Sequence, residues 1–597
     1  MPSNFTRFLT FFLLAVALTL PYAVVNHTYP MPTFYAEFTS LALWLFVGAA
    51  VLLLVRSARP AIGFAMPSVA LVPLAFGLFL IVQIVALPVT QPLMNWLGAG
   101  YLLAAFMATL AGYGIARARQ TQTALVWAAF ALLLGGLFAV FSQVVQLFHL
   151  EAKFAPLVVA YNITTDRRPF GNMAQANHLA TYIAFAMAAC LFLVQTRRLH
   201  VLLWAVLSAI FACGLALTVS RGPWLQMAVI IAGGFWIAFA GMRRDVTEPG
   251  RPGTLRNWLL PVVLLLIFIG VNTYVRWANV RYNLQLDVSA ADRFKDAGQI
   301  APRLALWRYG LTMFKAHPLL GVGWGEFPLH QFELVRQLGG VEIANNAHDI
   351  FIDLLAKTGL IGLAIVLLGL LAWFVRALSA THTPERVFGF MLIGALVMHA
   401  LVEYPQQYMF FLLPAMFVFG LLETRPLRFV PSGVSFGVLA IVVVGGIVSL
   451  YPVLRDYNRS EVLYYGEHPA QEYSEAPSFL FRGWGDYGMA TLLPIDASNL
   501  ASKLYAHRRA ISLLPGETVL RRYAALQAYG GDMAGAMDTV ARLKIFAVEL
   551  RDWPKQLAEL YGLTDRQPAL KGFRAALMKK YGAPAQPIES DDDDSGD

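Results

Sequence analysis

Residues 123–149 read TALVWAAFALLLGGLFAVFSQVVQLFH, a run without any Asp, Glu, Lys or Arg. About 20 consecutive apolar residues are enough to cross the hydrocarbon core of a bilayer as an α-helix. Hydrocarbon offers no partner for backbone N–H and C=O groups, so such a run is stable there only when it bonds to itself. This stretch therefore predicts a transmembrane helix.

The same pattern recurs along the first 450 residues and predicts about 13 transmembrane helices. The segments are 8–26, 38–55, 64–87, 97–116, 123–149, 177–195, 199–219, 224–241, 258–275, 350–375, 386–402, 408–422 and 430–450. Of the 597 residues, 58% are hydrophobic and 14% are charged, whereas an ordinary soluble domain has about 25% charged residues. The composition excludes a water-soluble protein and favours an all-α polytopic membrane protein.

A formal net charge of +9 could indicate nucleic-acid binding, but the basic residues occur mainly in every second loop between the predicted spans. Loops rich in Lys and Arg stay on the cytoplasmic side. Examples of these basic loop residues are Arg7, Arg56, Arg59, Arg117, Arg119, Arg197, Arg198, Arg243, Arg244, Arg376, Arg386, Arg425 and Arg428. The alternation predicts an internal N-terminus and places the opposite loops outside.

The chain divides by composition into three parts. Residues 1–450 form the predicted transmembrane domain, which includes a large outward loop at 276–349. Residues 451–585 read as an outward helical domain, in which short amphipathic helices broken at Leu514-Pro515-Gly516 and Gly530-Gly531-Asp532 fit a helical-hairpin repeat of the tetratricopeptide kind. Residues 586–597 are an acidic tail that we expect to be disordered.

Polar motifs are concentrated in the large outward loop and at nearby span ends. Residues Leu304 to Met313 have helical apolar spacing, and Gly321-Val322-Gly323-Trp324-Gly325 predicts a tight turn. The glycine-rich piece follows no predicted strand, so it does not indicate a nucleotide-binding loop. Ionisable residues at a membrane boundary are costly and usually functional or paired.

The motifs of this loop follow one another in a fixed order over residues 301–362. They are Arg303, Leu306-Trp307, His317-Pro318-Leu319-Leu320-Gly321-Val322-Gly323, Asn346-Ala347-His348 and Leu354-Leu355-Ala356-Lys357-Thr358-Gly359. The series resembles the signature loop of the O-antigen ligase and polymerase superfamily, integral membrane glycosyltransferases that use polyprenyl-diphosphate-linked glycans. Extra spans and a sizeable outward C-terminal region make the chain most similar to the bacterial O-linked protein oligosaccharyltransferases, the pilin glycosylation ligases.

The resemblance implies a role for individual residues. His348 would be the catalytic residue near the acceptor hydroxyl, and Arg221 and Arg303 would bind the lipid-linked diphosphate. A guanidinium suits a diphosphate because it is a planar fork of donors that stays charged, and an imidazole can accept a hydroxyl proton near neutral pH. Arg308, further along the same predicted helix, is a reserve for Arg303.

Structural alternatives stand beside these roles. His348 could simply hydrogen-bond the first turn of the helix that follows it. Arg303 could instead form a surface ion pair with Asp292 or Asp296. Arg221 is a basic residue in an outward loop, where basic residues are disfavoured, and this anomaly favours a functional role.

Two further polar groups are candidates for binding the glycan or the acceptor. The first resembles a Gly-Asn-x-x-x-x-Asn pattern of the protein-glycosylating branch and comprises Arg168, Asn172, Gln175, Asn177 and His178, after Arg167. Asn177 could instead cap a helix, and His178 is a second candidate base. In the second group, His399 and Glu403 share a helix face four residues apart and precede Tyr404; they could position an acceptor or clamp two helices together.

Together these features predict an inverting glycosyltransferase in a bacterial inner membrane, with its active site and C-terminal domain in the periplasm. The resemblance implies transfer of a glycan from undecaprenyl diphosphate to a Ser or Thr hydroxyl of a periplasmic protein or pilin, without a metal or another cofactor. Ligation of O-antigen to lipid A-core and O-antigen polymerisation are the alternatives. A flippase or transporter of lipid-linked glycan is an alternative of another class, although the sequence lacks the duplicated halves that many transporters have.

Overall fold

The computed structural model of the protein describes residues 3–58, 65–160, 168–245, 255–286, 301–427, 430–549, 552–565 and 567–583. Across these ranges the regular structure is helical, apart from one isolated bridge between Pro67 and Pro426. The all-α prediction is confirmed. The acidic tail at 586–597, Arg59, Arg167, Asp292 and Asp296 lie outside the described residues.

The helices up to residue 465 form the membrane part and the elements that cover one of its ends. They are α1 (Asn4–Ala17), α2 (Phe34–Ala58), α3 (Leu71–Ala86), α4 (Pro92–Arg117), α5 (Thr121–Leu147), α6 (Ala176–Gln195), α7 (Val201–Leu217), α8 (Gly222–Asp245), α9 (Leu255–Tyr282), α10 (Ala301–Ala316), α11 (Phe327–Leu338), α12 (Ile350–Leu378), α13 (Pro384–Ala400), α14 (Met409–Leu422) and α15 (Ser432–Tyr465).

Each of the predicted membrane segments overlaps one of these helices. Among the described residues, ten helices are long and apolar enough to cross a membrane, and α7 and α14 are shorter apolar helices. The protein is therefore a polytopic membrane protein, while the number of crossings stays a prediction. The last of these helices, α15, continues past the predicted end at 450 to Tyr465, so its final turns belong to the region that we expected to begin the outward domain.

The C-terminal part is a series of short helices. They are α16 (Pro469–Glu475), α17 (Arg482–Leu492), α18 (Leu500–Leu513), α19 (Glu517–Tyr529), α20 (Met533–Glu549), α21 (Trp553–Asp565) and α22 (Lys571–Tyr581). Helices α17, α19 and α21 begin at residues 482, 517 and 553, which are 35 and 36 residues apart. This spacing is close to the 34-residue period of tetratricopeptide repeats, and the repeat assignment stays a prediction.

Helix α11 joins the C-terminal helices to the membrane part. Just before it, the Glu326 carboxylate accepts the backbone N–H of Thr90 at 2.7 Å, which ties the start of α11 to the loop before α4. On its other side, Leu329 and Val335 of α11 pack in one apolar cluster with residues of α18, α19 and α20, including Phe546. The loop that contains α11 thus lies between the membrane helices and the C-terminal helices and contacts both.

The glycine turn before α11 packs directly on α12. The N–H of Val322 donates to the carbonyl of Ala356 at 2.9 Å, and the N–H of Gly323 donates to that of Lys357 at 3.1 Å. Gly321 has φ +69°, and a Cβ there would collide with the backbone of Lys357 and Thr358. Only glycine satisfies both the left-handed backbone and the close approach, which explains the Gly in this motif.

We expect Gly321→Ala to destabilise the protein more than Gly531→Ala. Gly531 also has a positive φ of +84°, but a Cβ there meets open space, so only the left-handed strain of about 1–2 kcal/mol applies. At Gly321 overpacking adds about 1–3 kcal/mol to that strain. Thermal unfolding of both purified variants in detergent measures the difference, and equal losses of stability would contradict the packing described for Gly321.

Candidate active site

A cavity of about 400 Å³ lies where three neighbouring membrane helices end. The first turns of α6 and α8, the end of α13 with its following turn, and the start of α10 form its wall. The polar and charged lining residues are Arg168, Asn177, Thr181, Ser220, Arg221, Gln226, Arg303, Glu342, His399 and Glu403. Helix N-termini carry partial positive charge and attract anions, so α6 and α8 add to the positive charge of the arginines.

Glu403 is the central charged residue of this wall and is only 6% exposed. Its Oε1 accepts hydrogen bonds from Arg303 Nη2 at 3.0 Å and from Asn177 Nδ2 at 3.0 Å. Its Oε2 lies 2.9 Å from His348 Nδ1. Burial on its own would raise the pKa of Glu403, but the hydrogen bond from His348 and the nearby charges, including that of Arg303, hold this pKa at about 2. Glu403 is therefore an ionised carboxylate at neutral pH.

His348 is held by Glu403 and by its own backbone. Its φ of +55° turns the chain sharply before α12, and the next residue, Asp349, caps that helix by accepting the N–H groups of Phe351 and Ile352. An ionised carboxylate can only accept, so His348 donates from Nδ1; in the neutral form of the ring this leaves Nε2 as the acceptor. A neutral imidazole oriented in this way by a carboxylate can take a proton from a hydroxyl group.

Asn177 connects Glu403 to the loop that carries Arg221. Its side-chain oxygen accepts from Arg168 Nη2 at 3.1 Å and from Ser220 Oγ at 2.7 Å, while Arg168 also donates to Ser220 Oγ at 2.9 Å. Ser220 directly precedes Arg221, and Arg221 lines the cavity at the start of α8. These bonds place Arg221 and Arg303 on the wall of one cavity.

The inner end of the cavity is lined by uncharged polar groups. Gln226 Nε2 donates to Thr181 Oγ1 at 2.7 Å, and Thr181 Oγ1 lies 2.8 Å from His399 Nδ1. The structure places no described residue within hydrogen-bonding distance of Gln226 Oε1 or His399 Nε2. Thr181 and Gln226 were not predicted from the sequence, because they lie inside the predicted spans 177–195 and 224–241 rather than in the polar motifs at the span ends. Their signal is a four-residue spacing from Asn177 and Gly222, which puts them one turn deeper on the same helix faces.

Three family models match different parts of the chain. A model described as O-Antigen ligase matches residues 205–367, which include Arg221, Arg303 and His348. A model described as Protein glycosylation ligase matches residues 169–194, and one described as Virulence factor membrane-bound polymerase, C-terminal, matches residues 387–559. All of the residues that bond to Glu403 through their side chains lie in these matched segments.

The curated relatives agree with these models. A general O-oligosaccharyltransferase of Acinetobacter baylyi is 25% identical over 484 residues, which are 76% of this chain and 77% of that protein. A ComP-specific O-oligosaccharyltransferase of the same organism is 24% identical over 273 residues, 45% of this chain and 46% of that protein. An exopolysaccharide production protein of Rhizobium meliloti, ExoQ, is 29% identical over 156 residues, 24% of this chain and 36% of that protein.

The chain is similar to the O-antigen ligase superfamily and to the O-oligosaccharyltransferases in particular. It is a membrane glycosyltransferase, related to the O-oligosaccharyltransferases.

In this glycosyltransferase, most of the residues singled out from the sequence lie together. Arg168, Asn177, Arg221, Arg303, His399 and Glu403 line the cavity. His348 is bonded to Glu403 and is 18% exposed at its side chain. The ring of Tyr404 meets that of His348 edge-on, with 5.0 Å between centroids, and burial raises the pKa of Tyr404 to about 12.

Other selected residues lie away from the cavity lining. Asn172 is buried and bonds to the backbone of Ala23, Leu157 and Val159, so its role in the structure is to hold loops. Gln175, at the residue before α6, makes no side-chain capping bond, and the ring of His178 packs against aromatic rings that include Phe411.

Arg308 does not replace Arg303, because the two residues point in different directions from α10. Five residues along an α-helix correspond to a rotation of about 500°, which leaves Arg308 about 140° away from Arg303 around the helix axis. Arg308 is exposed and is not among the residues that line the cavity. Arg308, the reserve candidate for Arg303, is therefore not part of the site that the cavity defines.

The structure also gives the contacts of residues for which the sequence left alternatives. Asp349, and not His348, caps the first turn of α12. Asn177 lies inside the first turn of α6 and bonds across to Glu403, so the helix-capping interpretation is wrong. Arg303 pairs with Glu403 at 3.0 Å, and its suggested partners Asp292 and Asp296 lie outside the described residues. The bonds of His399 and Glu403 to α6 fit a clamp between helices.

We expect Glu403→Gln to reduce the acid sensitivity of the protein. The pKa of Glu403 is lowered from 4.5 to about 2 in the folded protein, so its stabilisation is present above pH 4.5 and is lost as the pH falls towards 2. A shift of this size corresponds to about 3 kcal/mol. Thermal unfolding in detergent between pH 6 and pH 3 should show a smaller fall in Tm for the variant than for the wild type; equal falls would contradict an ionised Glu403.

Proposed function

We propose that the protein transfers a glycan from undecaprenyl diphosphate to a Ser or Thr hydroxyl of periplasmic proteins or pilin, at the outer face of a bacterial inner membrane. The protein acceptor is supported by the similarity to two O-oligosaccharyltransferases, one of which aligns over 76% of this chain. The positive-inside pattern of the loops supports the outward position of the cavity.

The observation that carries the proposal is the chain of contacts from Arg303 through Glu403 to His348. Arg303 and Glu403 line a cavity together with Arg221, and His348 bonds to Glu403 from beside that lining. Glycosyl transfer from a diphosphate needs a cation at the leaving group and a base at the incoming hydroxyl. Here both groups bond to the same carboxylate, so one residue fixes the distance between them.

In the proposed reaction the donor occupies the cavity, with its diphosphate at Arg221 and Arg303. The acceptor approaches from the exposed side of His348. The hydroxyl oxygen attacks the anomeric carbon while the bond from this carbon to the diphosphate oxygen breaks, and undecaprenyl diphosphate leaves with the bonding electron pair. The hydroxyl proton passes to His348 Nε2, and attack opposite the leaving group inverts the configuration. The arginines stabilise the negative charge that develops on the leaving oxygen.

The cavity residues Arg168, Asn177, Thr181, Gln226 and His399 would contact the glycan. Sugar hydroxyl and amide groups need directional donors and acceptors, and this part of the wall contains both. Tyr404, beside His348, would contact the acceptor. Asn172, Gln175, His178 and Arg308 are left out of the proposed contacts because the cavity lining does not include them.

Ligation of O-antigen to lipid A-core is the second candidate, because the O-Antigen ligase model covers the segment with Arg303 and His348. Purified protein in proteoliposomes, supplied with a lipid-linked glycan, should glycosylate a pilin-like protein and not lipid A-core. Transfer to the lipid acceptor alone would disprove the protein acceptor while leaving the glycosyltransferase chemistry intact. If neither the pilin-like protein nor lipid A-core is glycosylated, the proposed reaction itself is wrong.

We expect His348→Ala to abolish most transfer. Loss of a general base typically lowers rate by about 10²- to 10⁴-fold, whereas His317→Ala, an exposed histidine of the same outward loop, should retain activity. The assay compares initial rates at equal amounts of folded protein in the membrane. Wild-type rates for His348→Ala would exclude it as the base.

We expect Arg303→Lys to lower the efficiency with which the protein uses the lipid-linked donor. A lysine cannot hold Glu403 and a phosphate oxygen together with one planar group, so kcat/KM for the lipid-linked donor should fall by about 10-fold or more. Arg308→Lys, on the exposed side of the same helix, is the matched control and should leave kcat/KM unchanged. Equal effects of the two substitutions would argue against a diphosphate site at Arg303.

A further inference from the structure

The first two turns of α12, the helix that follows His348 in the chain, contain a buried ion pair that the proposed reaction does not use. Asp353 and Lys357 are one helical turn apart, their charged groups are 3.0 Å apart, and each side chain is only 4% exposed. Buried charges are retained only with good partners and additional hydrogen bonds. The contacts of this pair therefore indicate what it holds in place.

One set of contacts leads to the backbone of His348. Asp353 Oδ1 accepts the N–H of Ala347 at 3.0 Å, and Lys357 Nζ donates to the side-chain oxygen of Asn346. Asn346 and Ala347 are the two residues before His348. They fix the chain where it enters the left-handed backbone of His348, φ +55°, a conformation that is disfavoured for residues other than glycine.

A second contact leads to the short turn that follows Glu403 in the chain. Asp353 Oδ2, the same oxygen that pairs with Lys357, accepts a hydrogen bond from Gln407 Nε2 at 3.0 Å. Gln407 ends the short helical turn Pro405–Gln407, which begins two residues after Glu403. The two sides of the hydrogen bond between His348 and Glu403 are thus both tied to one carboxylate on α12.

Lys357 is itself held firmly. Its ammonium group lies 5.4 Å from the centroid of the Trp324 ring and 6.0 Å from that of Phe327, and Gln83 donates to its backbone carbonyl at 2.9 Å. Aromatic faces and a carboxylate together suit a desolvated ammonium. Lys357 therefore packs against the glycine turn through Trp324 and is hydrogen-bonded to α3 through Gln83.

We propose that Asp353 and Lys357 are positioning residues that set the geometry of the His348–Glu403 pair without touching substrate. This inference rests on the proposed function, because it matters for turnover only if His348 acts on the acceptor. Misplacement of a reacting group by about 1 Å can lower rate by about 10²-fold. Loss of the pair should therefore lower kcat and leave donor binding, which depends on the arginines, nearly unchanged.

The principal test is the double variant Asp353→Leu/Lys357→Met in the full-length protein. Removing both charges avoids a lone buried charge, and apolar residues of similar size often replace a buried pair without loss of stability. We expect a folded protein whose kcat for transfer is 10- to 100-fold lower and whose KM for the lipid-linked donor changes less than about twofold. Lys503→Met, at a buried lysine paired with Asp496 in the C-terminal part, is the control and should keep wild-type kcat.

Gln407→Leu provides a milder variant in case the double variant does not fold. It leaves the ion pair intact and removes only the bond to the Glu403 turn, so kcat should still fall several-fold at unchanged donor KM. Wild-type kcat in either folded variant would overturn the inference, as would a loss expressed only in donor KM. If His348→Ala is inactive while both variants are fully active, only the positioning role fails; if His348→Ala is fully active, the proposed reaction fails first.

Discussion

The ionised carboxylate of Glu403, buried at one end of the helix bundle, is the constraint on which the site depends. A charge in such surroundings must be surrounded by donors. Its donors come from three distant segments, through Asn177, Arg303 and His348. Because one carboxylate joins them, the start of α6, the start of α10 and the turn before α12 have to converge, and the cavity is the space that this convergence leaves.

A second buried carboxylate, Asp353, ties the turn before α12 to the turn that follows Glu403. Glu403 faces the cavity and bonds to groups that would meet substrate, whereas Asp353 faces the scaffold and bonds to the backbone of Ala347 and to Gln407. The turn of Gly321 and Gly323 closes over the same region of α12 by backbone hydrogen bonds to Ala356 and Lys357. The order of motifs along residues 301–362 therefore reflects one folded unit: helix, glycine turn, histidine loop and the first two turns of α12.

The spans were predictable from the sequence because an apolar run is a local property; the predicted 123–149 and 177–195 correspond to helices Thr121–Leu147 and Ala176–Gln195. Arg303 and His348 were singled out because they belong to an ordered series of motifs, and Arg221 because it is a basic residue in a loop predicted to face outward. The bond between Asn177 and Glu403 joins residues 226 positions apart, and no local pattern encodes it. Arg308 lies on the same helix as Arg303 but about 140° away around its axis, so a shared helix does not place the two residues in one site.

The net charge of the cavity wall determines whether the wall mainly strengthens binding of the donor or mainly stabilises the transition state. Arg168, Arg221 and Arg303 face Glu342 and Glu403, so the ionisable lining carries one net positive charge when the histidines are neutral. The proposed donor, a glycosyl diphosphate, is already anionic and becomes more so as the bond to the sugar breaks. A wall with a larger positive charge would hold the donor and the released diphosphate too tightly. With Glu403 neutralising part of the arginine charge, the attraction is modest in the ground state and grows as negative charge develops, which is the condition for an interaction to raise kcat rather than only lower KM.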